Sequence, residues 1–68
     1  MTYEEIMDKT IAEFNSRGAS LMNLSEKERH ETFLIEKTIH EAAMVDDRPV
    51  FMKEVMRYRK AILKGTHE

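Results

Sequence analysis

Pro49-Val50-Phe51-Met52-Lys53-Glu54-Val55-Met56-Arg57-Tyr58-Arg59-Lys60-Ala61-Ile62-Leu63-Lys64 is the stretch on which the reading of this 68-residue chain turns. At about 100° per residue, Phe51, Val55, Tyr58 and Ile62 recur at +4, +3, +4 and form one stripe. Directly opposite, Lys53, Arg57, Lys60 and Lys64 repeat the same spacing as a cationic ridge. Met52, Met56, Arg59 and Leu63 occupy one flank between the two, so the apolar arc is wider than a single docking needs. Proline is tolerated in a first helical turn, and Gly65 is placed as a C-terminal stop. The pattern predicts a helix over 49–64, followed by a frayed Thr66-His67-Glu68.

Upstream, Val45-Asp46-Asp47-Arg48 reads as a break in which Asp46 or Asp47 can cap the next helix. Before it, Ser25-x-x-Glu28 is a capping box that opens a helix over 25–44, with Glu26 and Glu28 at its positive end. Thr2-x-x-Glu5 is a second capping box, with Met1 and Ile6 spaced as a hydrophobic staple. It starts a helix over 3–17 that Gly18 can stop in a left-handed conformation. The connector Gly18 to Leu24 is too apolar, through Leu21, Met22 and Leu24, for a free linker. The expectation is an all-α fold: one small three-helix domain over 1–68, its second and third helices an antiparallel hairpin joined by a short break.

The first helix has one apolar stripe, Tyr3, Met7, Thr10 and Phe14, with Ile6 and Ile11 beside it and Glu5, Asp8, Lys9 and Ala12 opposite. The second helix has two. Its main face is Ile35, Ile39 and Ala42, flanked by Leu34, Thr38 and Val45, while Phe33, Lys37, His40 and Met44 run along the far side. Either the connector or the first helix folds over Phe33 and Met44, or the pair belongs to a surface that meets a partner. These wide arcs point to self-association as a homodimer. Phe33, Met44, Met52, Met56, Arg59 and Leu63 are the candidate partner-binding or self-association residues. The six methionines suit either an irregular core or an adaptable binding surface.

Charge is segregated within a net of −2. Residues 1–47 hold five Lys/Arg and eleven Asp/Glu, whereas residues 48–64 hold six Lys/Arg and a single Glu. Like charges at i,i+4 such as Lys53–Arg57 and Lys60–Lys64 weaken a helix by a few tenths of a kcal/mol per pair, at roughly 0.2–0.5 kcal/mol. Three compensations are open: acidic helices of the same chain or a mate, the negative end of the helix dipole, or an outside anion facing the ridge Lys53, Arg57, Lys60 and Lys64. For a helix-turn-helix, the helices are long, the connection lacks Gly, and the start of the third helix is apolar where bases would be read. The ridge can still hold phosphates without reading sequence.

No cysteine is present, which excludes disulfides, thiolate metal sites and a thiol nucleophile. His30, His40 and His67 share no helical turn and form neither a His-Glu-x-x-His nor a Glu-x-x-His pair, so no metal and no other cofactor is expected. Ser16, Ser20 and Ser25 have cap or loop explanations, no glycine-rich loop exists to cradle a phosphate, and so small a bundle leaves little room for a pocket of ~300 Å3 or more. Catalysis is not expected. No run of 18 apolar residues occurs and the start of the chain is acidic, so neither a membrane span nor a signal peptide is expected and the chain reads as cytoplasmic. The functional expectation is a small regulatory protein-binding module, an adaptor or inhibitor of another protein acting through helical faces. A nucleic-acid-binding or transcription-regulating module using the basic third helix is the alternative, and a structural subunit of a larger assembly the third option.

Overall fold

The structure, a computed structural model, describes residues 2–64. Three helices follow one another: α1 (Tyr3–Ser16), α2 (Glu26–Met44) and α3 (Arg48–Leu63), with a single 3-10 turn at Leu21–Asn23 between the first two. The expected all-α architecture is therefore present, with α2 and α3 packed as an antiparallel hairpin. The staple from Met1, the stop at Gly65 and the tail after it lie outside the described residues.

Both capping boxes form. The Thr2 hydroxyl accepts from the Glu5 N–H at 3.1 Å and the Glu5 carboxylate from the Thr2 N–H at 2.7 Å. The Ser25 hydroxyl and Glu28 do the same at 3.2 and 2.9 Å. Each box satisfies two amide donors that the first turn leaves orphaned. The helices end as consistently as they begin. Gly18 has φ +69°, and the Gly18 and Ala19 N–H groups donate to the carbonyls of Asn15 and Phe14 at 3.2 and 2.9 Å. That is a Schellman closure, with glycine in the left-handed position that costs it nothing. The end of α2 repeats it with Asp46 in the glycine's place, at φ 57°: the Asp46 N–H donates to Ala43 and the Asp47 N–H to Ala42, at 3.2 and 2.8 Å. Asp47 then caps α3 by accepting from the Val50 N–H at 3.3 Å. The two aspartates thus divide the work, one closing α2 and the other opening α3 within three residues.

The core takes the predicted stripes: Phe51, Val55, Tyr58 and Ile62 from α3, Ile35, Ile39 and Ala42 from α2, and Phe14 from α1. Ala19 and Leu24 of the connector are buried as well and Leu21 packs against the core, whereas Met22 stands 79% exposed. α1 lies along the hairpin with its start at the hairpin's turn. Tyr3 stacks obliquely on Phe51 with centroids 4.5 Å apart, and Phe14 on Tyr58 at 5.7 Å. The helices therefore alternate in direction, an up-down-up bundle around one core.

Three polar side chains are buried within it. Thr10 and Thr32 return their hydroxyls to the helix carbonyls of Ile6 and Arg29 at 2.8 and 2.7 Å, so they enter the core as near-apolar groups. Glu54 is accepted because Arg57, one turn on, donates to it at 2.8 Å.

Candidate functional site

The cationic ridge of α3 is partly answered from within the chain. Arg57 pairs with Glu54, and Lys64 with Glu28 of α2 at 3.3 Å. Lys53 and Lys60 are exposed, and neither has an ion pair among the described residues. Only the second of these pairs comes from an acidic helix of the same chain; Glu54 lies on α3 itself.

Arg59 is taken up by the fold. Its Nε and Nη2 donate to the two carboxylate oxygens of Glu13 at 2.6 and 2.5 Å, a two-pronged pair that ties α1 to α3. This hydrogen bonding holds Glu13 below the usual carboxylate range and raises the Arg59 guanidinium. Leu63 is half-buried and packs against the core. The remaining candidates are open to solvent: Phe33 at 55%, Met44 at 85%, and Met52 and Met56 at 39% and 48%.

These residues do not form one surface. On α2, Phe33 and Met44 lie about 160° and 180° around the helix from Ile35, so they face away from the core. Met52 and Met56 lie on the flank of α3 that carries Arg59, beside α1. The connector does not cover Phe33 or Met44; its buried side chains, Ala19 and Leu24, are spent on the core.

Sequence reasoning passed over a third surface. Leu34, Val45 and Val50 are exposed, although Leu34 and Val45 read as flanks of the main α2 face. Leu34 borders an open trough between α2 and α3, of about 360 Å3, lined also by Glu31, Ile35, Thr38, Arg57 and Ala61. The volume exceeds what the sequence led us to expect, but it is a trough open to solvent along its length and not an enclosed pocket. The available signal was Leu34 one turn from Thr38 and opposite Ala61, a small residue that lets a groove form. A smaller hollow of about 250 Å3 sits on the other side of α2, where Tyr3 and Met7 of α1 approach Ile39, His40 and Ala43.

Among the described residues no group of three or more His, Asp or Glu side chains is placed to hold a metal, and no helix is long and apolar enough to cross a membrane. No family model, no curated protein and no solved structure matches the chain.

Proposed function

We propose that this chain is a small regulatory protein-binding module, an adaptor or inhibitor that docks a helical face on another protein and carries out no chemistry itself. The observation that supports it is the outward stripe of α2. Phe33 and Met44 stand more than half exposed on a helix whose opposite face already fills the core, so the fold has no use for them. A large aromatic and a flexible thioether on one solvent-facing stripe, with His40 and Lys37 between them, suit an apolar anchor that enters a partner's pocket with polar contacts around it. Met52 and Met56 offer a second, smaller contact beside α1.

The test is capture of the partner from cells by the wild-type chain, Phe33→Asp and Met44→Asp, each with and without nuclease. The expected result is a protein retained after nuclease treatment and lost from both variants. Capture that nuclease abolishes, and that survives Phe33→Asp but fails when Lys53, Arg57, Lys60 and Lys64 are replaced by Gln, would instead support nucleic-acid binding through α3.

A further inference from the structure

We propose that the open face of the α2–α3 hairpin binds a second copy of this chain, with α2 of each copy lying antiparallel over α3 of the other. The proposal concerns a different face from the target-binding stripe and stands apart from it.

α1 covers one side of the hairpin only. On α2 it approaches the side of His40 and Ala43, and on α3 the side of Arg59. Leu34, Thr38 and Val45 lie on the opposite side of the Ile35–Ile39 stripe, and Val50, Arg57 and Ala61 on the opposite side of the Phe51–Tyr58 stripe. Leu34, Thr38, Arg57 and Ala61 line the trough that the chain leaves open, and Val45 and Val50 stand exposed at the turn end of the same face, with Leu34 at 54% and Val45 at 73% exposure.

Charge selects the occupant. The α2 wall of this face carries Glu31 and Glu41, with Lys27 the exception in its first turn, and the α3 wall carries Lys53 and an Arg57 already paired with Glu54. Two such faces can meet about a two-fold axis parallel to the helices or one perpendicular to them. The perpendicular axis stacks α2 on α2 and α3 on α3, like charge on like. The parallel axis stacks α2 on the other copy's α3, and does so twice, so the wall with Glu31 and Glu41 meets the wall with Lys53 at both contacts. This axis preserves height along the bundle. Counted at 1.5 Å per residue from the turn, Glu41 and Lys53 are within about 3 Å of the same level, and Val45 and Val50 both sit at the turn end. Glu41 of one copy therefore meets Lys53 of the other, and the valines close the turn end. A single foreign helix in the trough would answer only one wall, whereas a second hairpin answers both. A standard interface takes ~800 Å2 from each partner, about a sixth of this chain's 4907 Å2, which one broad two-helix face can supply.

Sedimentation equilibrium across micromolar concentrations tests it, on the wild-type chain, Leu34→Asp, Glu41→Lys, Lys53→Glu and the Glu41→Lys/Lys53→Glu double variant. All three positions are exposed, and circular dichroism should show unchanged helix content. The expected results are a dimeric wild type, a monomeric Leu34→Asp, a dissociation constant at least about tenfold weaker for each single swap, and near-wild-type dimer in the double variant, whose charges again match. A wild-type chain that stays monomeric would overturn the proposal. So would a dimer indifferent to Leu34→Asp and the swaps, or a double variant as weak as the singles. Phe33→Asp should leave the dimer intact while losing the target, which separates this proposal from the target-binding one.

Discussion

Asp46 is the residue at which local backbone and tertiary contact are most tightly joined. Its φ of 57° is a conformation that L side chains rarely adopt, and its carboxylate accepts from the Tyr3 hydroxyl at 2.5 Å, linking the end of α2 to the start of α1. Comparing Asp46→Gly with Asp46→Ala isolates the backbone, since both remove the carboxylate. Urea denaturation should find the glycine variant more stable by about 1 kcal/mol, because glycine enters the left-handed region freely. Equal stability would mean that the turn relaxes out of this conformation. Tyr58 poses a different question. Burial, together with its hydrogen bond to Glu36 at 3.0 Å, pushes the phenol up to about 12. The fold thus favours the protonated form, so this contribution is complete below pH 10, the unperturbed phenol value, and is lost as pH rises from 10 towards 12. Absorbance titration of the phenolate should show Tyr58 ionising late, and Tyr58→Phe should flatten the fall in stability over that range. Ionisation near pH 10 would show the hydroxyl to be in water.

At the scale of the helix, the ends were more legible than the contacts. The capping boxes at Thr2 and Ser25, the glycine stop after α1 and the aspartate break between α2 and α3 are local chemistry, readable within four residues. Which of Asp46 and Asp47 would cap was not readable, because the left-handed position usually taken by glycine went to an aspartate held by Tyr3, 43 positions away. Arg59 was read as a partner-facing residue because Glu13, 46 positions away, leaves no mark in its neighbourhood. Thr32 and Glu54 were missed because hydropathy counts them as surface groups, whereas one is satisfied by its own helix and the other by Arg57. The caps carry two predictions. Ser25→Ala should cost about 1 kcal/mol, measured by denaturation. Glu5 and Glu28 are held below the usual carboxylate range chiefly by the backbone amides of Thr2 and Ser25, and Glu13 by Arg59. Lowered values mean stability that is present above the unperturbed value of 4.5 and is lost as pH falls below it. Acid unfolding should therefore begin below about that pH. Arg59→Ala should reduce the amide-exchange protection of α1 while α2 and α3 keep theirs, since that pair clasps α1 to the hairpin. Uniform loss across all three helices would mean that they unfold as one unit.

For the whole molecule, the stripes of α2 and α3 named the core correctly, but hydropathy could not tell which leftover apolar residues α1 would cover. α1 can lie on one side of a hairpin only, and the choice is made by Tyr3, Phe14 and Glu13 meeting Phe51, Tyr58 and Arg59. That choice leaves Leu34, Val45 and Val50 open on one side and Phe33 and Met44 on the outer face of α2. A chain this small has little stability to lose, on the order of 3–10 kcal/mol at the usual value per residue. Phe51, 1% exposed at the centre, should cost roughly 3–5 kcal/mol as Phe51→Ala, enough to abolish a cooperative thermal transition by circular dichroism. The same economy makes the exposed residues telling, since side chains that could add to so small a core are turned outward instead. A photo-crosslinking side chain placed at position 33 tests the account most directly. In the cells that make this protein, it should trap one other protein, and the same group at Lys9 on the polar face of α1 should trap none. Crosslinks to nucleic acid, or equal labelling from both positions, would contradict it.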